Sequence, residues 1–376
     1  EEMAAIDAAA PEPVEELIER AGAAVARAAV DVLGGTYGRR VTVVAGKGNN
    51  GADGRSAARR LRRRGVRVTE IDAGDLPGAL PPGDLVIDAA YGTGFRGTWD
   101  PPPVPDGTPV LAVDIPTGID GLTGEARGRP WPAVRTVTFA ALKPGLVLGA
   151  GPDHTGVVEV ADIGLDTSGA TAHLVTDADV AGSIPARPRT THKWRAACWI
   201  VAGSPGMTGA AHLSARGAQR AGAGYVRLSS PGLALSGGPL EAVTVDLPAE
   251  GWEAEVLADL DRVAALGVGP GLGRADATRA AVRSVAASAD RPPLVVDGDG
   301  LAALAPDPSG THPPIGADTV LTPHDGELAR LGGDPAAPDR VAEVRRVAAA
   351  TGATVLAKGP TTVVAAPDGR VRVVTS

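Results

Sequence analysis

A chain of 376 residues, 44% hydrophobic and 21% charged, can bury two cores and is not a disordered polymer; two α/β units are the natural prior. Its 36 basic against 44 acidic residues leave a formal charge of −8, which argues against a nucleic-acid or anionic-membrane surface. The lone Cys198 excludes an internal disulfide framework, fits a reducing cytosol, and reads as a buried strand thiol between Ala197 and Trp199.

No apolar run is long enough to span a bilayer and no basic-then-apolar leader is visible, so no membrane association and a cytoplasmic location are expected. The start at Glu1 rather than Met reads as a trimmed beginning. Arg59, Arg60, Arg62, Arg63 and Arg64 read as the solvated face of a helix. Only four of the 36 basic residues are lysine: Lys47, Lys143, Lys193 and Lys358. In so arginine-rich a chain, they mark places where a compact ammonium matters.

Val14 to Leu33 has helical periodicity and stops at Gly34-Gly35. Strand–helix alternation follows: strand 41–44, a glycine loop 46–54, a helix from about Arg55 to Arg64, and strands at 66–71, 84–87, 110–113, 134–139 and 156–160. This pattern predicts a doubly wound parallel sheet, helices on both faces, with right-handed crossovers. The proline-bearing stretch 177–191 reads as the junction, giving domains 1–180 and 190–376. The alternation then restarts with strands at 198–201, 224–228, 263–268, 293–296, 319–321 and 354–356, a helix over about 209–220, and a hairpin pairing 362–365 with 371–374.

Gly46-Lys47-Gly48-Asn49-Asn50-Gly51-Ala52-Asp53-Gly54 sits between a strand and a helix. Its glycines allow close backbone approach, and the helix N-terminus attracts an anion. The alternative is a plain tight turn. The sequence is not a Walker loop, and it lacks the later acidic residue of ordinary dinucleotide-binding dehydrogenases. Asp88 and Asp114 end strands that share one rim of the sheet, and each precedes a glycine-bearing loop. Caps or turns would explain either aspartate alone; two beside an asparagine loop point to a site.

Four segments in order carry a resemblance: the asparagine loop, Asp88-Ala89-Ala90-Tyr91-Gly92-Thr93-Gly94, Val113-Asp114-Ile115-Pro116-Thr117-Gly118 and Phe139-Ala140-Ala141-Leu142-Lys143-Pro144-Gly145. They resemble the NAD(P)HX epimerase family, which inverts C6 of hydrated NAD(P)H. The resemblance implies a Rossmann-like domain that holds the dinucleotide through Asn49, Asn50, Gly51, Ala52 and Asp53, through Gly92-Thr93-Gly94-Phe95-Arg96-Gly97-Thr98, and through Asp114. It implies a potassium ion on Asn50, Asp88 and Thr117, where the family usually has serine at the last position. Oxygen ligands without a His/Cys cluster suit such a hard cation. Asp114 and Lys143 are the acid/base candidates, with Lys143 as a phosphate anchor the competing reading.

The second half repeats strand–glycine loop–helix at 201–211, then shows Gly267-Val268-Gly269-Pro270-Gly271-Leu272-Gly273, Asp297-Gly298-Asp299-Gly300-Leu301 and Thr322-Pro323-His324-Asp325-Gly326-Glu327 after strands. This order resembles the ADP/ATP-dependent NAD(P)HX dehydratases, of ribokinase-like fold. The resemblance implies substrate contacts at Ala211, Gly271 and His324 and a nucleotide loop at Lys358, Gly359, Pro360, Thr361 and Thr362, serving ADP or ATP with Mg2+. A helix-capping turn histidine is the alternative for His324. The Gly-Thr-Gly-Asp segment that carries the family's general base does not occur in these 376 residues, so the resemblance implies a truncated chain that does not itself dehydrate. A homo-oligomer is expected, since members of the family assemble. Two other readings remain at this point: a ribokinase-like small-molecule kinase in the second half, and a non-catalytic dinucleotide-binding module in the first.

Overall fold

The computed structural model describes residues 6, 10–316 and 318–375. The chain divides into two compact units, 1–170 and 171–376. The division falls earlier than the proline-rich stretch suggests. Ala172–Leu174 already forms a strand, β7, beside the last strand of the second sheet. Within the expected junction lies a short helix, Asp177–Ser183, capped by reciprocal Thr176 and Asp179 hydrogen bonds.

In the first unit, α1 (Val14–Leu33) buries Ala21, Ala24, Val25, Ala28, Ala29 and Leu33, one stripe at helical spacing. It ends where Gly34 turns left-handed and Gly35 N–H reaches back to Val30 O, so the orphan carbonyls are satisfied. Strands β1 (Arg40–Ala45), β2 (Arg67–Asp72), β3 (Leu85–Ala89), β4 (Val110–Val113), β5 (Arg135–Phe139) and β6 (Val157–Ala161) form one sheet in the order β2-β1-β3-β4-β5-β6, parallel throughout. The order reverses between β1 and β3, which makes their carboxyl ends the switch point where such sheets open a crevice.

Period-two alternation sorts the strands onto two cores. Val41, Val43, Leu85, Ile87, Leu111 and Val113 pack under α1 and α2 (Asn49–Arg63). Val44, Val86, Val110 and Ala112 face the other way, onto Leu80, Trp99 and Trp131. The second face is covered by irregular chain carrying tryptophans, whose large side chains bury apolar area without a regular element.

The second unit has one sheet ordered β10-β9-β8-β11-β12-β13-β14-β15-β16-β7. From β10 (Ala242–Thr244) through β9 (Tyr225–Ser229), β8 (Ala197–Val201), β11 (Ala265–Val268), β12 (Leu294–Val296) and β13 (Thr319–Leu321) to β14 (Thr354–Ala357) every pairing is parallel. An antiparallel hairpin, β15 (Thr361–Ala365) and β16 (Val371–Thr375), continues it. Its helices include α5 (Thr208–Arg220), α7 (Asp276–Ala287), α8 (Asp299–Ala303), α9 (Asp325–Arg330) and α10 (Arg340–Thr351), with the junction helix as α4, Trp252–Ala258 as α6 and Gly151–Thr155 of the first unit as α3. The switch point lies between β8 and β11. Cys198 is in β8, and burial pushes its thiol up, which fits a structural rather than a nucleophilic thiol. Among the described residues no helix is long and apolar enough to cross a membrane.

Candidate functional site

The first site grows from the β1–α2 connection. Helix α2 begins at Asn49, six residues before its expected start, so Asn49 and Asn50 sit on its first turn and only 46–48 form the loop. The early start depends on glycine. A Cβ on Gly51 would stand 1.9 Å from Gly46 O, one on Gly46 1.9 Å from Ala90 O, and one on Gly54 2.4 Å from Ala89 Cβ. These glycines bring the helix N-terminus down onto the end of β3.

At that end Asp88 is fully buried. Its Oδ1 accepts the Thr117 hydroxyl at 2.7 Å, and its Oδ2 accepts Thr117 N–H at 2.9 Å. The same hydroxyl accepts Tyr91 N–H at 3.0 Å. Burial pushes the Asp88 carboxyl up, against the bonds from Thr117 and Ala90. On the first turn of α2, both polar side-chain atoms of Asn50, Oδ1 and Nδ2, are buried with no hydrogen-bond partner among the described residues. A buried amide left so is costly. A buried carboxylate without a cationic partner is costlier still.

Asp114 lies at the end of β4 with φ of 64°, a left-handed conformation that aspartate tolerates better than most residues. Its N–H donates to Val137 O at 2.7 Å, which fixes the turn. Lys143, buried after β5, places Nζ 2.6 Å from Asp114 Oδ1 and 2.8 Å from Phe139 O. Thr138 donates its hydroxyl to the same carboxylate at 3.2 Å. A Cβ built on Gly92 would lie 3.5 Å from Asn50 Cγ and 3.7 Å from Asp114 Oδ2, so the three loops converge.

They enclose a cavity of about 660 Å³. Asn49, Asn50, Asp53, Asp114 and Lys143 line it, as do Gly92 to Arg96 and the apolar Leu17, Ile18 and Phe139. Tyr91 and Phe95 stack at 4.6 Å between ring centroids along the wall. Gly51, Ala52, Gly97 and Thr98 are not among its lining residues. Burial, then the Asp114 charge, push the Asp53 carboxyl up to about 8, with Lys143 countering in part. Sequence reasoning grouped Asp53 only with the loop; the Asp-Gly step at the fifth and sixth residues of the helix gave no sign of its burial.

In the second unit the β8 and β11 loops are tied at the switch point, with Gly203 N–H on Pro270 O at 2.7 Å and Ser204 Oγ on Gly271 O at 2.8 Å. Gly271 lies against the start of α5; Ala211, one turn in, is fully buried in the core, which leaves it only backbone to offer a ligand. Lys358 Nζ stands 2.8 Å from Asp297 Oδ1 and 3.8 Å from Glu327 Oε2. These two carboxylates lie inside the quoted motifs but had no assigned role. His324 is exposed and its Nδ1 caps α9 by accepting Gly326 N–H at 3.0 Å, the geometry of a turn histidine. Thr361 and Thr362 begin β15, so of the five residues expected to meet the nucleotide Lys358, Gly359 and Pro360 form the connection and the two threonines open the strand. Arg340 joins this loop to α9, donating to Lys358 O at 3.0 Å and pairing with Asp325 at 2.9 Å. No cluster of three or more His, Cys, Asp or Glu side chains able to hold a metal occurs among the described residues.

Two α/β units built on largely parallel sheets, each with glycine loops at its switch point and charged side chains at its strand ends, define a protein of the nucleotide-handling, doubly wound class. Residues 198–376 match the family model described as NAD(P)H-hydrate dehydratase, and residues 14–75 and 69–145 match the one described as YjeF-related protein N-terminus. The bifunctional NAD(P)H-hydrate repair enzyme of Moorella thermoacetica is 36% identical over 89% of this chain and 74% of its own. That of Mycobacterium tuberculosis is 38% identical over 90% and 74%. A Bacillus subtilis ADP/ATP-dependent NAD(P)H-hydrate dehydratase, co-crystallised with ATP/Mg2+, is 28% identical with a TM-score of 0.43, over 53% of this chain and 71% of that one. The chain belongs to the family of bifunctional NAD(P)H-hydrate repair enzymes.

Proposed function

We propose that the first unit interconverts R- and S-NAD(P)HX in the cavity under α1, and that the second unit handles the S epimer together with ADP or ATP. The observation that carries the first assignment is the convergence of Asn50, Gly92 and the Asp114–Lys143 pair on one cavity at the sheet's switch point. The cavity wall offers a stacking pair of rings and apolar helix residues to a nicotinamide, and the N-terminus of α2 to a phosphate.

Inversion at C6 requires its hydroxyl to leave and water to return on the other face. Asp114 is the residue that exchanges a proton with oxygen at C6, and Lys143 orients it and holds its charge. Asn50, Asp88 and Thr117 fit a potassium ion, because the orphaned Asn50 amide oxygen and the buried Asp88 carboxylate are the groups a hard monovalent cation would satisfy. Such an ion would supply a positive charge next to the dinucleotide phosphates.

In the second unit Lys358 meets the nucleotide phosphates, with Gly359 and Pro360 giving close backbone approach, and Mg2+ arrives with the nucleotide. Gly271 and His324 line the substrate side, with His324 Nε2 standing 3.5 Å from Glu327 Oε1. The test is chiral separation of the two epimers: pure R-NADPHX incubated with the chain should yield S-NADPHX far faster than in buffer. Equal rates would remove the epimerase assignment.

A further inference from the structure

The cavity wall carries a titratable group for which the scheme above has no use. Asp53 is 7% exposed, faces the cavity from the second turn of α2, and its carboxyl accepts no hydrogen bond among the described residues. Around it, α1 supplies only apolar residues: Val14, Leu17, Ile18 and Ala21. The β3 loop supplies Tyr91 and Arg96, the end of β4 supplies Asp114, and the turn after β5 supplies Lys143. Of the two carboxyls, only Asp114 has a cation against it, at 2.6 Å.

We infer that Asp53 is a second catalytic residue of this site, the acid that gives a proton to the departing C6 hydroxyl while Asp114 receives one from the incoming water. This inference rests on the epimerase reading and deepens it. A single carboxylate cannot both protonate a group leaving one ring face and deprotonate water arriving at the other, whereas two carboxyls of opposite protonation state can. The C6–O bond breaks as the Asp53 proton leaves with the hydroxyl as water, and the ring-nitrogen lone pair closes a C6=N1 bond. Water then adds to C6 from the opposite side, the π electrons return to nitrogen, and the excess proton passes to Asp114. One inversion leaves the proton on the other carboxyl, which suits a reaction that must run in both directions. The environment agrees: burial first, and the neighbouring Asp114 charge second, keep the Asp53 proton on to about pH 8.

The test compares wild type with Asp53→Asn and Asp53→Glu, following epimer interconversion from pH 6 to pH 10 and measuring NADP+ affinity by calorimetry. Expected for Asp53→Asn is a kcat reduced about 100-fold or more, as for loss of a general acid, with KM and NADP+ affinity changed less than about threefold on the same principle. Wild-type kcat should fall above pH 8, Asp53→Glu should restore part of the rate, and the residual Asp53→Asn rate should be flat with pH. A wild-type-like kcat in Asp53→Asn, or the same alkaline decline in it, overturns the inference and leaves the epimerase reading standing. If Asp53→Asn does not fold, the wild-type profile decides: an alkaline fall supports the inference and a flat line to pH 10 overturns it. A wild-type chain that interconverts nothing overturns both.

Discussion

Lys143 Nζ lies 2.6 Å from Asp114 Oδ1 while also donating to Phe139 O, so one buried ammonium joins the ends of β4 and β5. The pair links the sheet to the site. Removing its charge without disturbing its shape calls for asparagine at position 114, since Asn also tolerates the φ of 64° there. Asp114→Asn should lower epimerisation about 100-fold or more while NADP+ still binds. Asp114→Val should in addition lower thermal stability by about 3–5 kcal/mol, because it strands a buried ammonium and forces a branched residue into left-handed space. Equal turnover in Asp114→Asn and wild type would remove the pair from the chemistry.

A potassium ion on Asn50, Asp88 and Thr117 would be read first as stability. Potassium at about 100 times its dissociation constant should stabilise the first unit by about 2.7 kcal/mol relative to choline at equal ionic strength. Asp88→Asn should erase that difference in thermal melts. Identical melting in the two salts would leave the orphaned Asn50 amide unexplained.

Asp53 also predicts a pH dependence of folding. Its carboxyl ionises near its ordinary 3.8 when the chain is unfolded but near 8 when folded, so the folded state binds the extra proton between those values. Stability should therefore decline from about pH 4 to pH 8 on this group's account and level off above. Relative to wild type, Asp53→Asn should gain on the order of a few kcal/mol at pH 8 and little at pH 4. Urea midpoints at the two pH values measure this; a difference of the opposite sign would contradict the burial of Asp53.

Lys358 sits between Asp297 and Glu327, at 2.8 and 3.8 Å, and on the proposed reading its ammonium meets the nucleotide phosphates. Lys358→Met should weaken ADP and ATP binding by about tenfold or more, the size of a lost charge-assisted hydrogen bond. Asp297→Asn should weaken it less. Calorimetry with either nucleotide is the measurement, and unchanged affinity in Lys358→Met would move the phosphate site elsewhere.

Much of this arrangement is legible in the residues. The bounds of α1 coincide with its apolar periodicity and its Gly34 stop, and the strand ends carrying Asp88 and Asp114 fall within two residues of their expected places. What escapes reading is tertiary. Helix α2 starts early because Gly51 packs against Gly46 while Gly46 and Gly54 pack against Ala90 and Ala89 at the end of β3, which outweighs their poor helix propensity. The burial of Asp53 follows from that shift. Strands β7 and β10 are three residues each, too short for an alternation signal. The Thr176–Asp179 capping box was readable, but neighbouring prolines dominate the segment.

The pairing of β7 with β16 bears on how the molecule could ever be separated into two working pieces. A dehydratase fragment begun at residue 190 would lose Ala172–Leu174 and expose the row of backbone amides and carbonyls along Val371–Val373 that these residues occupy. Such a naked border invites stray strands from other chains. Gene fission or recombinant dissection should therefore cut upstream of Thr171, where the polypeptide passes from one unit to the next.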